Sequence, residues 1–228
     1  MRTPEEIAES IEHMRRVAQS PKLQAVEVEK CKRDPWYWLE NYAWTKDEHD
    51  SKRPFKRFPC KDYLKRITEV WQRERLLLIP KSRQMMISWL LVALYLHDAQ
   101  FHPGRLIVYQ SKKGEDATAL IRRSLVIFDR QPSWMKQENR FREHPHGKLT
   151  FPAIESSIVG LPQGAEQLRS YTLSGLLVDE AAYQPLMQEA WTAAKPTIDA
   201  GDCRVTMVSS ANPSFFEMLV SDRVEKAK

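Results

Sequence analysis

The chain has 228 residues, of which 42% are hydrophobic, so it can bury a core in one large domain or two small ones. Its 35 Lys and Arg against 30 Asp and Glu give a net charge of +5, which fits a polyanionic partner without requiring one. The three cysteines stand far apart and form no metal-ligand spacing, and their odd number argues against a disulfide framework, which favours a reducing, intracellular compartment.

No segment is expected to enter a membrane. The start of the chain is charged and amphipathic, unlike a signal peptide. The longest apolar stretch, 87–96, is too short for a bilayer span, which needs about 20 residues.

A helical arm is predicted over residues 1–55, attached to a core over 56–228. The sequence TPEE at positions 3–6 combines a capping threonine, a proline at the first helical position and a glutamate three residues after the cap. The other predicted features of this front part are a second helix to about Arg33, a third helix from Asp34-Pro35, a loop over Thr45–Pro54 and a helix opening at Pro59.

From Arg75 onward, short apolar runs alternate with amphipathic segments. This pattern predicts an α/β fold with a mostly parallel sheet covered on both faces by helices. The predicted strands are 75–79, 105–110, 148–151, 156–161, 173–180 and 204–210, with a hairpin between the third and fourth, and the predicted helices are 84–99, 114–129, 185–195 and 214–226. Ligands of such sheets bind at the carboxyl ends of the strands.

The segment from Pro80 to Ser88 has the outline of a phosphate-binding loop between a strand and a helix. Lys81 and Arg83 could supply cations, and Ser88 a hydroxyl for Mg²⁺. Met86 stands where close backbone approach usually requires glycine. The alternative is a loop that leads into a core helix, with both cations solvated.

Two further strand ends carry polar residues. Asp179 and Glu180 follow an apolar strand, where one carboxylate could hold a Mg²⁺ water and the other face an attacking water. The alternative is an ordinary acidic strand end or a helix N-cap. The sequence SSAN at 209–212 could sense a γ-phosphate or be a polar turn before Pro213. The order of these three segments favours nucleotide hydrolysis.

The chain resembles the ATPase half of the large terminase subunit of tailed bacteriophages, the motor that packages DNA into procapsids. The segment KSRQMMIS is similar to a lysine-first form of the family's Walker A motif at Lys81, Ser82 and Ser88. LLVDEAA is similar to its Walker B motif with the catalytic glutamate, and SSAN resembles its coupling motif. The resemblance covers roughly Asp34 to Asn212.

Two other segments extend this resemblance, and two positions depart from it. Lys61 stands in place of the glutamine of the adenine-reading Q motif, and Arg169 is the typical arginine of the segment before Walker B. Met86 replaces the family's glycine, and Ile87 replaces its more usual lysine.

The resemblance implies a P-loop NTPase fold of the RecA/ASCE type and an ATPase that uses ATP and Mg²⁺. Glu180 would be the catalytic base, Asp179 and Ser88 would hold Mg²⁺, and Arg83 would face the γ-phosphate in cis or in an adjacent subunit. The nucleotide-binding residues would be Lys61, Lys81, Ser82, Arg83, Gln84, Met85, Met86, Ile87 and Ser88. The coupling residues would be Ser209, Ser210, Ala211 and Asn212.

The implied partners are double-stranded DNA, the portal protein, the small terminase subunit and further copies in a ring on the procapsid, in the host cytoplasm. The isolated chain is expected to be monomeric. The family's nuclease domain is expected to be absent, since nothing after Asn212 could form it. The alternatives are a helicase-like or repair ATPase, and a non-hydrolysing DNA- or portal-docking module with a degenerate loop.

Basic residues elsewhere are interpreted as solvated. The clusters Lys52–Arg57 and Arg122-Arg123 are expected on exposed faces, with DNA backbone or subunit contact as the alternative. The predicted loop 130–147 is a candidate source of an arginine that acts on a neighbouring subunit.

Overall fold

The helices at the start of the chain begin at prolines, as the sequence predicts. Their bounds in the computed structural model are α1 Pro4–Gln19, α2 Pro21–Arg33 and α3 Pro35–Tyr42. The side chains of Ser20 and Asp34 accept hydrogen bonds from the backbone N–H groups of Leu23 and Tyr37, which satisfies donors that a helix start leaves free. The structure describes residues 3–143, 147–164, 166, 168, 172–199 and 203–222.

Helix α3 packs into the main core. Trp38 is fully buried, its indole nitrogen donates to Gln131 Oε1 at 3.3 Å, and its ring meets His97 edge-on at 5.4 Å. Buried Glu27 of α2 accepts hydrogen bonds from the hydroxyls of Tyr37 and Tyr42 at 2.6 and 2.8 Å. The contacts of Trp38 cross the predicted division at residues 55 and 56, and that division stays a prediction.

A small hairpin follows α3, where the sequence predicted only a loop. Its strands are β1 Trp44–Lys46 and β2 Phe55–Arg57, paired antiparallel. The Asp50 carboxylate accepts from the backbone N–H groups of Lys52 and Arg53, which folds the turn between the strands. Three-residue strands are too short to show an alternating pattern, so no pattern predicts them.

The predicted sheet is confirmed, with seven strands. They are β3 Leu76–Pro80, β4 Leu106–Ser111, β5 Arg140–Arg142, β6 Lys148–Phe151, β7 Ser156–Pro162, β8 Gly175–Asp179 and β9 Arg204–Ser209. Their order is β3-β9-β8-β4-β7-β6-β5, and the first five of these run parallel. The predicted hairpin is β6–β7, and β5 adds an antiparallel strand within the segment predicted as a loop.

Helices cover both faces of this sheet, which confirms the predicted α/β class. Their bounds are α4 Asp62–Arg73, α5 Ile87–Phe101, α6 Gly114–Asp129, α7 Met187–Asp199 and α8 Phe215–Val220. Alternate strand residues point to opposite faces, so Tyr109 and Leu177 join the core under α5, while Val108 and Val178 join the core on the side of α7 and α8.

Two helix starts differ from the prediction. Helix α4 begins at Asp62 after the proline turn, and α5 begins at Ile87 because the loop before it uses left-handed backbone. The last predicted helix, 214–226, is shorter than predicted, since it ends at Val220 with Ser221 as its C-cap, and residues 223–226 lie outside the described residues. Within the described part of the chain, no helix is both long and apolar enough to cross a membrane.

Candidate nucleotide site

The three strand ends singled out in the sequence meet at one edge of the sheet. Strand β9 lies between β3 and β8, with Pro80 opposite Ser209 and Asp179 opposite Val208. The Lys81 backbone N–H donates to Ser209 O at 2.9 Å, which joins the start of the loop to the end of β9. Sheet topology therefore assembles the predicted site from segments that lie far apart in the sequence.

The loop between β3 and α5 turns without glycine. Gln84 has φ 61° and Met86 has φ 59°, a left-handed conformation that favours glycine. Met86 is the N-cap of α5 and makes no side-chain cap hydrogen bond. The hydroxyl of Tyr63 on α4 donates to Met85 O at 2.9 Å and holds the loop from outside. Met86 thus adopts a backbone conformation that is usual for glycine.

The first turn of α5 separates a core residue from a site residue. Ile87, which replaces the usual lysine, is 3% exposed and belongs to the hydrophobic core. The hydroxyl of Ser88 donates to Asp179 Oδ1 at 3.0 Å. The two predicted Mg²⁺ ligands therefore lie together, whereas the side chain at position 87 is uncharged and buried.

Asp179 is a buried carboxylate at the end of β8. It is 9% exposed, and this burial raises the pKa of its carboxyl above the ordinary value. The Ser88 hydrogen bond lowers that pKa, the Glu180 charge raises it, and the charges of Lys81 and Arg123 lower it, but burial prevails. A carboxylate in such surroundings is stabilised by any cation that binds beside it.

Glu180 lies beyond the strand end, with its backbone at φ 51°. This left-handed residue turns the chain out of β8 into the single turn Ala181–Tyr183. One carboxylate oxygen lies 3.0 Å from the ammonium of Lys81, and the other lies 3.4 Å from the Ser209 hydroxyl. The predicted base and the predicted phosphate cation therefore form an ion pair.

The segment 209–212 contacts the turn after Glu180. Ser209 Oγ accepts from the backbone N–H of Ala182 at 3.1 Å, and the Asn212 amide donates to Ala182 O at 3.0 Å. The Tyr183 hydroxyl lies 3.4 Å from Ser210 Oγ and donates to Ala211 O at 3.5 Å. A shift of either segment would therefore move the other.

Sequence reasoning missed one residue that fixes this turn. Gln184 is buried, and its amide donates to Asp179 O at 2.9 Å. No pattern in the sequence marks it, because its role depends on how the turn folds back on β8.

A cavity of about 580 Å³ opens beside the loop. The hairpin β1–β2 forms its opposite wall, and Arg123 of α6 also lines it, although the sequence predicted a solvated face there. The predicted nucleotide-binding residues in its lining are Lys61, Lys81, Gln84, Met85, Met86, Ile87 and Ser88. Ser82 and Arg83 are exposed on the loop and are not part of this lining, and Arg169 lies outside the described residues.

Comparison with known proteins identifies the fold. No family model and no curated protein sequence matches the chain. The HK97 bacteriophage large terminase superposes with a TM-score of 0.63 and 11% identity, over 84% of this chain and 40% of that one. The chain has the fold of a phage large terminase ATPase domain.

A second solved structure agrees with this terminase fold. A mutant of the Thermus phage P74-26 large terminase ATPase domain superposes with a TM-score of 0.50 and 14% identity, over 70% of this chain and 68% of that one. The chain thus spans most of that isolated terminase domain but less than half of the HK97 large terminase. The resemblance seen in the sequence is confirmed for the fold.

Proposed function

We propose that this chain is a Mg²⁺-dependent ATPase that powers the translocation of double-stranded viral DNA into a procapsid. The observation that carries the proposal is the meeting of two close pairs at one sheet edge, Ser88 with Asp179 and Lys81 with Glu180, each 3.0 Å apart. A hydroxyl, a cation and two carboxylates beside a helix N-terminus are the parts that phosphoryl transfer to water requires.

The residues of the first pair fit Mg²⁺. This ion binds through one or two carboxylates, with waters and substrate phosphates completing its ligands. Ser88 and Asp179 would hold it, and it would neutralise charge on the nucleotide phosphates. The burial that raises the Asp179 pKa is offset when a cation binds there.

The second pair would carry out the chemistry. Lys81 would bind the β- and γ-phosphate oxygens, since a charge-assisted contact from a mostly buried ammonium is strong. Glu180, freed from Lys81, would orient the attacking water and accept its proton, with the Ser209 hydroxyl beside its other oxygen. The release of Glu180 from Lys81 would be transmitted to the coupling segment 209–212 through its contacts with Ala182 and Tyr183.

The partners in this proposal are double-stranded DNA, the portal protein and the small terminase subunit, at the procapsid in the host cytoplasm. Further copies would form a ring, in which an arginine from a neighbour completes each site. Residues 1–55 would act as an arm on the core 56–228. Since a missing arginine finger lowers the rate by roughly 10³–10⁵-fold, the isolated chain should hydrolyse ATP slowly.

Phosphate release from Mg²⁺-ATP, with and without linear double-stranded DNA, tests this function. We expect slow turnover that rises with DNA and assembly. Lys81→Ala should lower nucleotide binding and turnover together, whereas Arg83→Ala, on the exposed part of the loop, should lower turnover more than binding. Strand separation without packaging would favour a helicase-like ATPase instead.

A non-hydrolysing docking module is the second candidate. The observation that favours it is the loop itself, with Met86 at a left-handed position and a buried isoleucine at 87. A chain that binds DNA or portal protein but shows no nucleotide binding by calorimetry would establish this second function and refute the first.

A further inference from the structure

Helix α6 contributes a cation to the cavity beside the phosphate loop, which the sequence did not suggest. Arg123 on α6 is half-buried and lines the same cavity as Lys81 and Ser88. Its guanidinium lies 5.5 Å from the centre of the Trp89 ring, beside the first turn of α5. Among the described residues, no carboxylate lies within ion-pair distance of it. It is therefore a positive charge directed into the site and free to take an anion.

The adjacent arginine behaves differently. Arg122 forms an ion pair with Glu143, and its side chain is 58% exposed. Neighbouring residues on a helix point about 100° apart, so the two arginines of this pair face different surroundings. Arg122 is exposed as predicted, whereas Arg123 is half-buried and lines the cavity.

At the phosphate-loop end of the cavity, two positions provide little free positive charge. Ile87 contributes none, and Lys81 is neutralised by Glu180 at 3.0 Å. The positive charge of Arg123 also acts to lower the pKa of the Asp179 carboxyl, although burial and Glu180 act in the opposite direction. Arg123 is thus within electrostatic range of Asp179, the hydrogen-bond partner of Ser88 in the cavity lining.

We propose that Arg123 binds the phosphates of the nucleotide, as a cation that enters the site from α6 opposite the loop lysine. Its planar guanidinium can donate two parallel hydrogen bonds to phosphate oxygens, which a lysine cannot do. Stacking on Trp89 keeps the group oriented and leaves its N–H edge available. The loop without a lysine at position 87 would thereby still hold a polyphosphate. This inference rests on the proposed function and names a substrate contact within it.

Calorimetric titration with Mg²⁺-ADP and with a non-hydrolysable Mg²⁺-ATP analogue tests the assignment. Arg123→Ala should weaken both nucleotides by roughly 10- to 100-fold, as expected for the loss of charged hydrogen bonds. The nucleotide affinity of Arg123→Lys should fall between that of the parent and that of the alanine variant. Arg122→Ala is the matched control. Its nucleotide affinity should stay within about twofold of that of the parent, because an exposed ion pair contributes little.

A second measurement separates phosphate binding from packing against Trp89. Inorganic tripolyphosphate should displace the nucleotide from the parent chain. Its inhibition constant, corrected for the nucleotide affinity of each variant, should be higher for Arg123→Ala than for the parent. An unchanged tripolyphosphate competition, with a lowered unfolding midpoint, would assign Arg123 a packing role and overturn the proposal. Equal nucleotide affinity in Arg123→Ala and Arg122→Ala would also overturn it, while leaving the ATPase proposal intact. A parent chain that binds no nucleotide would refute both.

Discussion

The ammonium of Lys81 lies 3.0 Å from Glu180 Oε1, between the ends of β3 and β8. The Lys81 side chain is 8% exposed and that of Glu180 is 40% exposed, so the pair sits at the floor of the site with the carboxylate toward solvent. Two residues with separate proposed roles in hydrolysis therefore neutralise each other. In the proposed mechanism, a nucleotide would draw Lys81 to its phosphates, and that step would release Glu180.

Replacement of Glu180 by glutamine should separate binding from chemistry. Glu180→Gln should lower ATP hydrolysis by about 10²–10⁴-fold, because the general base is lost. Nucleotide binding should be retained or become tighter. The parent has to break the Lys81–Glu180 ion pair when Lys81 binds the phosphates, whereas the glutamine variant has no such ion pair to break. Phosphate release and calorimetric titration measure the two effects. Glu189→Gln, an exposed change on α7, is the control. Turnover within a few-fold of the parent, as in the control, would remove Glu180 from the chemistry.

Asp179 should make the fold less stable as pH rises. Burial raises the pKa of its carboxyl, so the native state binds this proton more tightly than the unfolded chain does. Stability is therefore lost as pH rises from the ordinary carboxyl pKa through the raised one. Asp179→Asn removes the charge and keeps an oxygen to accept the Ser88 hydrogen bond. We expect a higher thermal unfolding midpoint at about pH 7 and a smaller gain at about pH 4.

The control for this change is Asp116→Asn, at an exposed position in the first turn of α6. It should leave the midpoint unchanged or slightly lower, since a carboxylate near a helix N-terminus is mildly stabilising. If Asp179→Asn lowers the midpoint at neutral pH in the absence of nucleotide, the argument from burial is wrong.

The sheet and the order of the site segments could be predicted because they depend on local patterns. The apolar strand 175–179 and the helix 114–129 each carry a periodicity that identifies their type. The Lys81–Glu180 pair could not be predicted, since it joins residues 99 positions apart through the packing of side chains. The orientation of Arg123 toward Trp89 depends on the rotation of α6, which no local pattern sets.

Met86 offers a test of backbone strain in the loop. Its φ of 59° is a conformation in which an L-residue is less stable than glycine by about 1 kcal/mol. Met86→Gly relieves this strain but removes a side chain that packs partly buried against the core. Met85 packs against the same core without a positive φ. Met85→Gly therefore loses packing and relieves no backbone strain.

Met86→Gly should therefore destabilise the chain less than Met85→Gly, by about 1 kcal/mol in the free energy of unfolding. Urea denaturation of the two variants and the parent measures the difference. Equal losses, or a larger loss for Met86→Gly, would mean that the left-handed backbone carries no strain at this position.

Gly175 lets strand β8 lie directly against a tyrosine of α5. A Cβ at this position would stand 2.7 Å from Tyr95 Cε1. The ring cannot retreat, because the hydroxyl of this fully buried residue lies 3.0 Å from both Leu176 O and Thr206 Oγ1. Gly175→Ala should lower the free energy of unfolding by about 1–3 kcal/mol through overpacking. Since β8 ends at Asp179, the same change should also weaken nucleotide binding.

Urea denaturation, with Gly114→Ala as control, tests this contact. Nothing lies within 4 Å of a Cβ at Gly114, so the control should change stability by no more than about 0.5 kcal/mol. The double variant Gly175→Ala with Tyr95→Leu removes the ring that the new methyl meets. The double variant should lose less free energy of unfolding than the two single variants together, because the two positions are in contact. Additive losses in this cycle would show that the Tyr95 ring does not require glycine at position 175.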